Sequence, residues 1–256
     1  MNGGGAAILV TGASSGIGAA LARRVAAPGI GMALHGGGST AESAARLQSV
    51  VAACTAAGAR CITTHGTLAE PGHGAACVAA ALAAFGRLDH VVHAAGHVDK
   101  TPLGKLTRAG LDHNVALMAG ALLEIVTAAM PALAASGAGR VVAVSTFNVH
   151  KIEAATFAPG STVAKAAMEA LVRCFALQLA PTGTTVNAVV PGFTRKDPGK
   201  SGTLSPEGWA LAAKRAPTGR LNEADDVAAA IQFLLSPQAR QITGALLPVD
   251  GGLMLG

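Results

Sequence analysis

The sequence predicts an α/β fold in which a doubly wound parallel sheet carries helices on both faces. Two observations lead to this prediction. Apolar stretches of strand length, rich in Val and Ile, alternate with Ala- and Leu-rich stretches of helical length along the whole chain. The first of these strands runs into a glycine-rich turn that opens a helix. No Pro- or Ser-rich linker divides the 256 residues, so we expect a single domain over 1–256.

The individual elements are predicted from hydrophobic periodicity and from turn residues. Strands are expected from residue 6 to the turn at residue 12 and at 30–35, 60–65, 90–94, 140–145, 184–190 and 245–249. Helices are expected at 16–27, 40–57, 71–85, 111–135, 162–179 and 223–235, with a further helical segment around residue 209. Ser39 or Thr40 is the candidate N-cap of the second helix, and Pro71 suits the first turn of the third.

Composition argues against several classes of function. The net charge of +5 is spread along the chain, and no cluster of Lys and Arg predicts nucleic-acid binding. No run of eighteen uncharged apolar residues predicts a membrane span, and no signal peptide is recognised, so we expect a cytoplasmic protein. The cysteines Cys54, Cys61, Cys77 and Cys174 form no CxxC pair, so we expect buried free thiols and no metal site, with metal or disulfide use as the alternative.

The turn after the first strand has the pattern of a phosphate-binding loop. Glycine is needed in such a turn because a Cβ would keep the backbone away from a pyrophosphate. The N–H groups at the start of the following helix, together with its dipole, then favour negative charge. The pattern therefore predicts a dinucleotide site, and its residues are Gly12, Ser14, Ser15, Gly16, Ile17 and Gly18.

This turn, Thr-Gly-x-x-x-Gly-x-Gly, resembles that of the short-chain dehydrogenase/reductase family, and further motifs extend the resemblance to the whole chain. They are Arg87-Leu88-Asp89, Ala94-Ala95-Gly96, Lys165-Ala166-Ala167, Asn187-Ala188-Val189-Val190-Pro191-Gly192, Ile242-Thr243-Gly244 and Val249-Asp250-Gly251-Gly252. The resemblance implies a Rossmann-like fold, a nicotinamide cofactor, a small-molecule substrate and a lid over the substrate at about 193–216. It also implies a homo-oligomer, a dimer or a tetramer, built on the helices at about 111–135 and 162–179.

The resemblance also implies where the cofactor is held. Contacts are expected at Thr67, Leu68, Ala94, Ala95, Gly96, Lys165, Pro191, Gly192, Phe193 and Thr194. An acid just after the second strand would favour NAD by binding the ribose 2′-hydroxyl. This chain has His35, Ser39 and Thr40 there, and no acid before Glu42. We therefore expect NADP, with NAD as the alternative.

Hydride transfer to a carbonyl needs a proton donor at the oxygen, and the resemblance implies a Tyr with a Lys four residues later. Lys165 is present, but Ser161 stands four residues before it and the chain has no tyrosine. A serine hydroxyl is a poor acid beside a phenol of pKa about 10. The remaining candidates are Ser145, Thr146 or Asn148 for the family's Ser, Asn114 for its Asn, and His150 as another proton donor.

These replacements leave three functions open. The first is an NADPH-dependent reductase whose substrate, an imine, an activated alkene or a carbonyl, needs no tyrosine. The second is a non-redox cyclase or isomerase on the same scaffold, and the third is a nucleotide-binding protein without turnover. The glycine loop and Pro191-Gly192 favour the first over the third, so we predict a reductase with an altered catalytic site.

Overall fold

The structure is a computed structural model that describes residues 5–38, 40–195 and 205–255. Within these residues seven parallel strands form one sheet in the order β3-β2-β1-β4-β5-β6-β7. The strands are β1 (Ala7–Thr11), β2 (Gly31–Gly36), β3 (Arg60–His65), β4 (His90–His93), β5 (Arg140–Val144), β6 (Thr185–Pro191) and β7 (Leu246–Val249). The order reverses between β1 and β4, which confirms the doubly wound, Rossmann-like fold and places the ligand-binding crevice at their carboxyl ends.

Helices cover both faces of this sheet, as predicted. In the described part of the chain they are α1 (Gly16–Val25), α2 (Ala41–Ala56), α3 (His73–Phe85), α4 (Arg108–Val115), α5 (Ala121–Ser136), α6 (Pro159–Leu179), α7 (Pro206–Arg215) and α8 (Ala224–Leu235). One apolar core lies between the sheet and α3, α5 and α6, and the other between the sheet and α1, α2 and α8. The side chains alternate along each strand, so neighbours such as Ile8 and Leu9 enter opposite cores.

The segment predicted as one helix over 111–135 is longer and is interrupted. It begins at Arg108, where Thr107 caps the first turn by accepting from the Gly110 N–H at 3.1 Å. A π-helical turn, Ala116–Gly120, then separates α4 from α5. Hydrophobic periodicity did not predict the π-helical turn, because this single wide turn leaves the apolar pattern of the sequence unbroken.

The stretch Arg108–Ser136 is long and apolar enough to cross a membrane by composition alone. A core helix of a soluble protein passes the same test, and one face of α5 is buried in the core of this fold. Glu124 lies within the stretch, and its carboxylate accepts from the N–H groups of Gly72 (2.9 Å) and Gly74 (3.1 Å) at the start of α3. A carboxylate at that end also suits the helix dipole.

Two predicted helix starts need correction. The third helix begins at His73 and not at Pro71, because Gly72 takes a left-handed conformation (φ +82°) at the N-cap. The helix predicted at 162–179 begins three residues earlier, with Pro159 at its first position. At the second helix Thr40 is the N-cap and accepts from the Ser43 N–H at 3.1 Å, while Ser39 lies outside the described residues.

Asp89, just before β4, fastens the sheet at the end opposite the crevice. Its buried carboxylate accepts from the Ala7 N–H at 2.8 Å, from Arg87 at 2.7 and 2.8 Å, and from Ser136 Oγ at 2.5 Å. Burial pushes the pKa of this carboxyl upward, but these hydrogen bonds outweigh burial and hold the pKa below its usual value. The carboxylate is therefore charged in the folded protein at neutral pH.

We expect Asp89→Asn to lower the free energy of unfolding at pH 7 by about 1–3 kcal/mol, since a charged acceptor of four hydrogen bonds is lost. A carboxyl with a depressed pKa stabilises the fold above its unfolded pKa, and this contribution is lost as pH falls through the folded pKa. Urea unfolding should therefore show the difference between wild type and variant shrinking below about pH 4. An equal difference at pH 7 and pH 3 would contradict this account.

Candidate active site

A cleft of about 530 Å³ runs along the carboxyl ends of β1, β2 and β4. The structure brings most of the predicted cofactor residues together in its lining: Gly12, Ser14, Ser15, Gly16, Ile17, Gly18, His35, Thr67, Leu68, Ala94, Ala95, Gly96 and Thr194. The lining also contains residues that were not predicted as cofactor contacts: Gly37, Ser43, Gly66, His97, Val98, Leu117 and Arg195. Arg195 was predicted only as part of the lid. Ser43 lies on α2, Leu117 lies in the π-helical turn and the others follow strands, and neither place distinguishes a lining residue from its neighbours.

The three glycines of the first turn have different structural roles. Gly12 has φ +68°, and a Cβ there would lie 2.8 Å from the carbonyl carbon of Ala94. A Cβ on Gly18 would lie 2.3 Å from the carbonyl oxygen of Gly12, so these two glycines let the turn pack on itself and on the chain after β4. At Gly16 (φ +53°) a Cβ would meet nothing within 4 Å. Gly16 therefore leaves room for a ligand.

The N-terminus of α1 is built to receive an anion. Its N-cap, Ser15, makes no side-chain capping bond, and the first turn holds no acid. Arg23 and Arg24 lie in the last turn, so the charges of the helix already match its dipole at the far end. A diphosphate in the cleft would meet the positive end of this helix, and the site fits such a group.

The end of β2 differs from its predicted role. His35 is buried, its Nε2 lies 3.0 Å from the Gly66 carbonyl oxygen, and burial lowers its pKa to about 4. The imidazole is therefore neutral at pH 7 and brings no positive charge to a phosphate. Thr40 caps α2 and does not line the cleft. Ser43, whose N–H it accepts, does line the cleft.

Lys165 lies buried beneath the cleft. Its Nζ donates to the Val144 carbonyl oxygen at 2.6 Å, and a Cβ on Gly96 would lie 3.3 Å from this Nζ. Burial lowers the pKa of the Lys165 ammonium to about 8, against the opposing influence of Glu169. The amine therefore exchanges its proton near neutral pH, directly behind the Gly96 turn.

Ser161, at the position implied for the tyrosine, holds the chain after Gly96. Its Oγ donates to the His97 carbonyl oxygen at 3.1 Å and accepts from the Asp99 N–H at 2.6 Å. The single hydroxyl proton is thus directed at the backbone and not at the cleft. Ser161 therefore holds residues 97–99 in place through these two hydrogen bonds.

Asn114 reaches the same region from α4. Its Nδ2 donates to Asp99 Oδ2 at 2.9 Å and to the Gly110 carbonyl oxygen at 2.8 Å. A Cβ on Gly160 would lie 3.0 Å from Nδ2, so Asn114 packs against the start of α6. Among the described residues its buried Oδ1 has no hydrogen-bond partner, which leaves one acceptor open beside Ser161.

The candidates after β5 separate into two groups. Ser145 Oγ donates to Glu169 Oε1, and His150 Nε2 lies 3.1 Å from the same oxygen. Ser145 and His150 are therefore anchored to a buried carboxylate that sequence reasoning missed, although Glu169 lies one helical turn after Lys165. Thr146 and Asn148 instead line a second cavity.

This second cavity, of about 320 Å³, opens beside the first and shares Val98 and Thr194 with it. Its walls are largely apolar and include Phe147, Gly192, Phe193, Trp209, Leu211 and Ala212. Arg215 lies over the Phe193 ring, 5.0 Å from its centroid. The predicted lid at 193–216 thus supplies one wall through α7, whereas its residues 196–204 lie outside the described part of the chain. Pro191 ends β6 and is buried.

Comparison with known proteins agrees with this geometry. A family model described as enoyl-(acyl carrier protein) reductase matches residues 12–254. The chain belongs to the short-chain dehydrogenase/reductase family. The predicted family and its oxidoreductase class are thereby confirmed, whereas the roles assigned to single residues stay predictions.

Relatives of this family member align along nearly its whole length. The L-rhamnose 1-dehydrogenase (NAD(P)(+)) of Azotobacter vinelandii is 34% identical over 254 residues, which cover 97% of this chain and 96% of that one. The cis-4-hydroxycyclohexanecarboxylate dehydrogenase of Sinomonas cyclohexanicum is 35% identical, covering 95% and 94%. The structure of a short-chain dehydrogenase from Burkholderia cenocepacia in complex with NADP is 32% identical, with a TM-score of 0.87 and 98% of each chain covered.

The two kinds of glycine predict different variants. Gly12→Ala should lower the free energy of unfolding by about 1–3 kcal/mol, because its Cβ meets the Ala94 backbone at a positive φ. Gly16→Ala should cost only about 1 kcal/mol for its positive φ but should weaken dinucleotide binding roughly tenfold or more, since its Cβ enters the cleft. Urea unfolding and a binding titration measure both effects. Equal stability losses, or unchanged binding by Gly16→Ala, would contradict these assignments.

Proposed function

We propose that this chain is an NADPH-dependent reductase of a small organic substrate that works without a phenol as proton donor. One observation carries the proposal. Lys165 is buried beside Gly96 at the cleft, whereas Ser161, in the tyrosine position, directs its proton to a backbone carbonyl. The scaffold for hydride transfer is present, and the usual acid is replaced by a structural hydroxyl.

The cofactor assignment depends on the cleft and on the chain after β2. A nicotinamide dinucleotide supplies hydride when bound, and the space beside the Gly16 Cα at the start of α1 would hold its diphosphate. After His35 come three glycines, and the first acid, Glu42, lies on exposed α2 and pairs with Arg46. No carboxylate therefore stands in the described residues of this segment to repel a 2′-phosphate, which favours NADP. Arg195 also lines the cleft, but its Nε pairs with Glu223 Oε1 at 2.9 Å, so the cofactor assignment does not depend on its charge.

The second cavity indicates the kind of substrate. Its aromatic and aliphatic walls suit an apolar organic molecule, and Thr146 and Asn148 offer polar groups at one side. An iminium already carries positive charge and needs hydride more than a proton. An activated alkene reduced by hydride at carbon gives an enolate, which water can protonate. A plain ketone needs an acid at its oxygen, so among the three it is the substrate this site serves least well.

We also propose a homo-oligomer, a dimer or a tetramer, assembled through α4, α5 and α6. Exposed apolar side chains on two of these helices support this: Leu177 is 81% exposed, and Val163 and Leu123 are each about half exposed. Such side chains suit an interface better than solvent. A cytoplasmic location stays a prediction.

The first test combines binding with turnover. Trp209, the chain's single tryptophan, lies in the wall of the second cavity, beside the cofactor cleft, and its fluorescence quenching and energy transfer should report NADPH binding. We expect NADPH to bind at least about tenfold more tightly than NADH, and NADPH to be oxidised with imines or enones faster than with ketones. Binding without oxidation by any substrate class would favour a non-catalytic nucleotide-binding protein. Failure to bind either cofactor would favour a cyclase or isomerase, and both results would contradict the proposal.

The second test restores the missing phenol. We expect Ser161→Tyr to raise kcat/KM for ketones about tenfold or more, because a phenol near Lys165 supplies general acid catalysis. Ser161→Ala is the matched control, since it also loses the bonds to His97 and Asp99 but adds no acid. Both variants should unfold at lower temperature than wild type. A folded, NADPH-binding Ser161→Tyr with no gain on ketones would contradict the view that the missing phenol limits this reaction.

A further inference from the structure

Three metal-ligating side chains meet outside the part of the cleft that serves hydride transfer. His35 is the last residue but one of β2, and His73 and Cys77 lie on α3. One ligand atom from each, a ring nitrogen of both histidines and Sγ of the cysteine, all lie within 4.8 Å of one another. The proposed reduction uses neither His73 nor Cys77.

The fold brings these residues together for simple reasons. His73 and Cys77 are separated by four positions, so they share one face of α3. β2 pairs with β3 in a register that places His35 beside Thr64, and Thr64 Oγ1 donates to Cys77 Sγ at 3.4 Å. At Gly66, which has φ +126°, a Cβ would lie 2.4 Å from His73 Cε1. The absence of that Cβ is what allows the His73 ring to approach the backbone.

The histidine nitrogens are oriented as they are in metal sites. His35 Nε2 lies 3.0 Å from the Gly66 carbonyl oxygen, which assigns its proton to Nε2 and leaves the lone pair on Nδ1. A metal-bound histidine in proteins ordinarily has its second nitrogen fixed by such a carbonyl. Among the described residues, His35 Nδ1 and His73 Nε2 are buried without a hydrogen-bond partner. Two buried ring nitrogens without partners are costly unless a ligand satisfies them.

We propose that His35, His73 and Cys77 form a binding site for a borderline-soft divalent cation, and that Zn²⁺ is the ion it selects. Imidazole and thiolate are the ligands that zinc prefers, and three protein ligands leave its fourth position to water or another small ligand. Nitrogen and sulfur ligands of one zinc ion lie roughly 3.5 Å apart. Side-chain rotations that shift the three ligand atoms by about 1 Å would therefore bring them to zinc-binding distances.

The proposed ligands join two elements of the fold at the edge of the cleft. A thiol binds zinc as its thiolate, so the ion displaces the Cys77 proton on binding. His35 and Gly66 also line the cofactor cleft, so a bound ion would lie in its wall and join β2 to α3.

The test uses the full chain, reduced and stripped of metal with a chelator, and titrates it with Co²⁺ as a spectroscopic substitute for Zn²⁺. We expect a thiolate-to-cobalt charge-transfer band in the near ultraviolet that saturates at one ion per chain. One equivalent of Zn²⁺ should then remove the band. Zn²⁺ should also raise the Tm of the wild type, since it binds the folded state.

Variants separate this site from the other thiols. Cys77→Ser should lose the band and bind Zn²⁺ at least about tenfold more weakly, and His73→Asn should weaken binding similarly. Cys54→Ser is the matched control, because Cys54 is also a buried free thiol but lies on α2 near Cys61. It should keep both the band and the zinc-dependent rise in Tm.

Several outcomes would overturn the site. They are the absence of a band in the wild type, a band that survives Cys77→Ser, and a band lost in Cys54→Ser. If Cys77→Ser does not fold, His73→Asn decides, and its unchanged affinity would refute the proposal. These readouts do not use NADPH, so the zinc site and the proposed reductase activity stand or fall separately.

Discussion

The close approach of the chain after β1 to the chain after β4 is the constraint on which the site depends. Gly12 packs against the Ala94 backbone with no space for a Cβ. Just below, Thr11 Oγ1 lies 2.9 Å from His93 Nδ1 and accepts from the Ala95 N–H at 3.3 Å. This contact closes the crevice where the strand order reverses and fixes Gly96 over Lys165. The glycine turn after β1, the chain after β4 and the buried Lys165 amine therefore come together at this point.

A large part of the fold followed from local signals in the sequence. Short runs of β-branched residues bounded by glycine or proline predicted the strands, because such runs suit buried parallel strands and little else. The errors arose where a few residues decide between similar conformations. Gly72 displaced the start of α3, and the π-helical turn at Ala116–Gly120 left the apolar period intact.

The candidate site was less predictable because its bonds join distant parts of the chain. Spacing alone located Gly16 and Lys165, whose roles follow from a local turn and a helix face. It could not show that Ser161 holds the backbone of residues 97–99, or that Glu169 collects Ser145 and His150. His35 meets His73 and Cys77 of α3 only because of the register between β2 and β3. A rule based on short spacings such as CxxC cannot detect a group of residues that are so far apart in the sequence.

Glu169 has one more consequence for the protein. Its carboxylate contacts Ser145 and His150, which lie on either side of the short segment that presents Thr146 and Asn148 to the second cavity. Thr146 and Asn148 also bond to the backbone of the loop: Thr146 Oγ1 accepts from the Asn148 N–H at 3.4 Å, and Asn148 Nδ2 donates to the Thr156 carbonyl oxygen at 3.3 Å. A substitution at either residue removes these weaker bonds and leaves the two bonds to Glu169 in place. The segment can therefore exchange its cavity-facing side chains, in evolution or in laboratory selection, and still keep its attachment to α6.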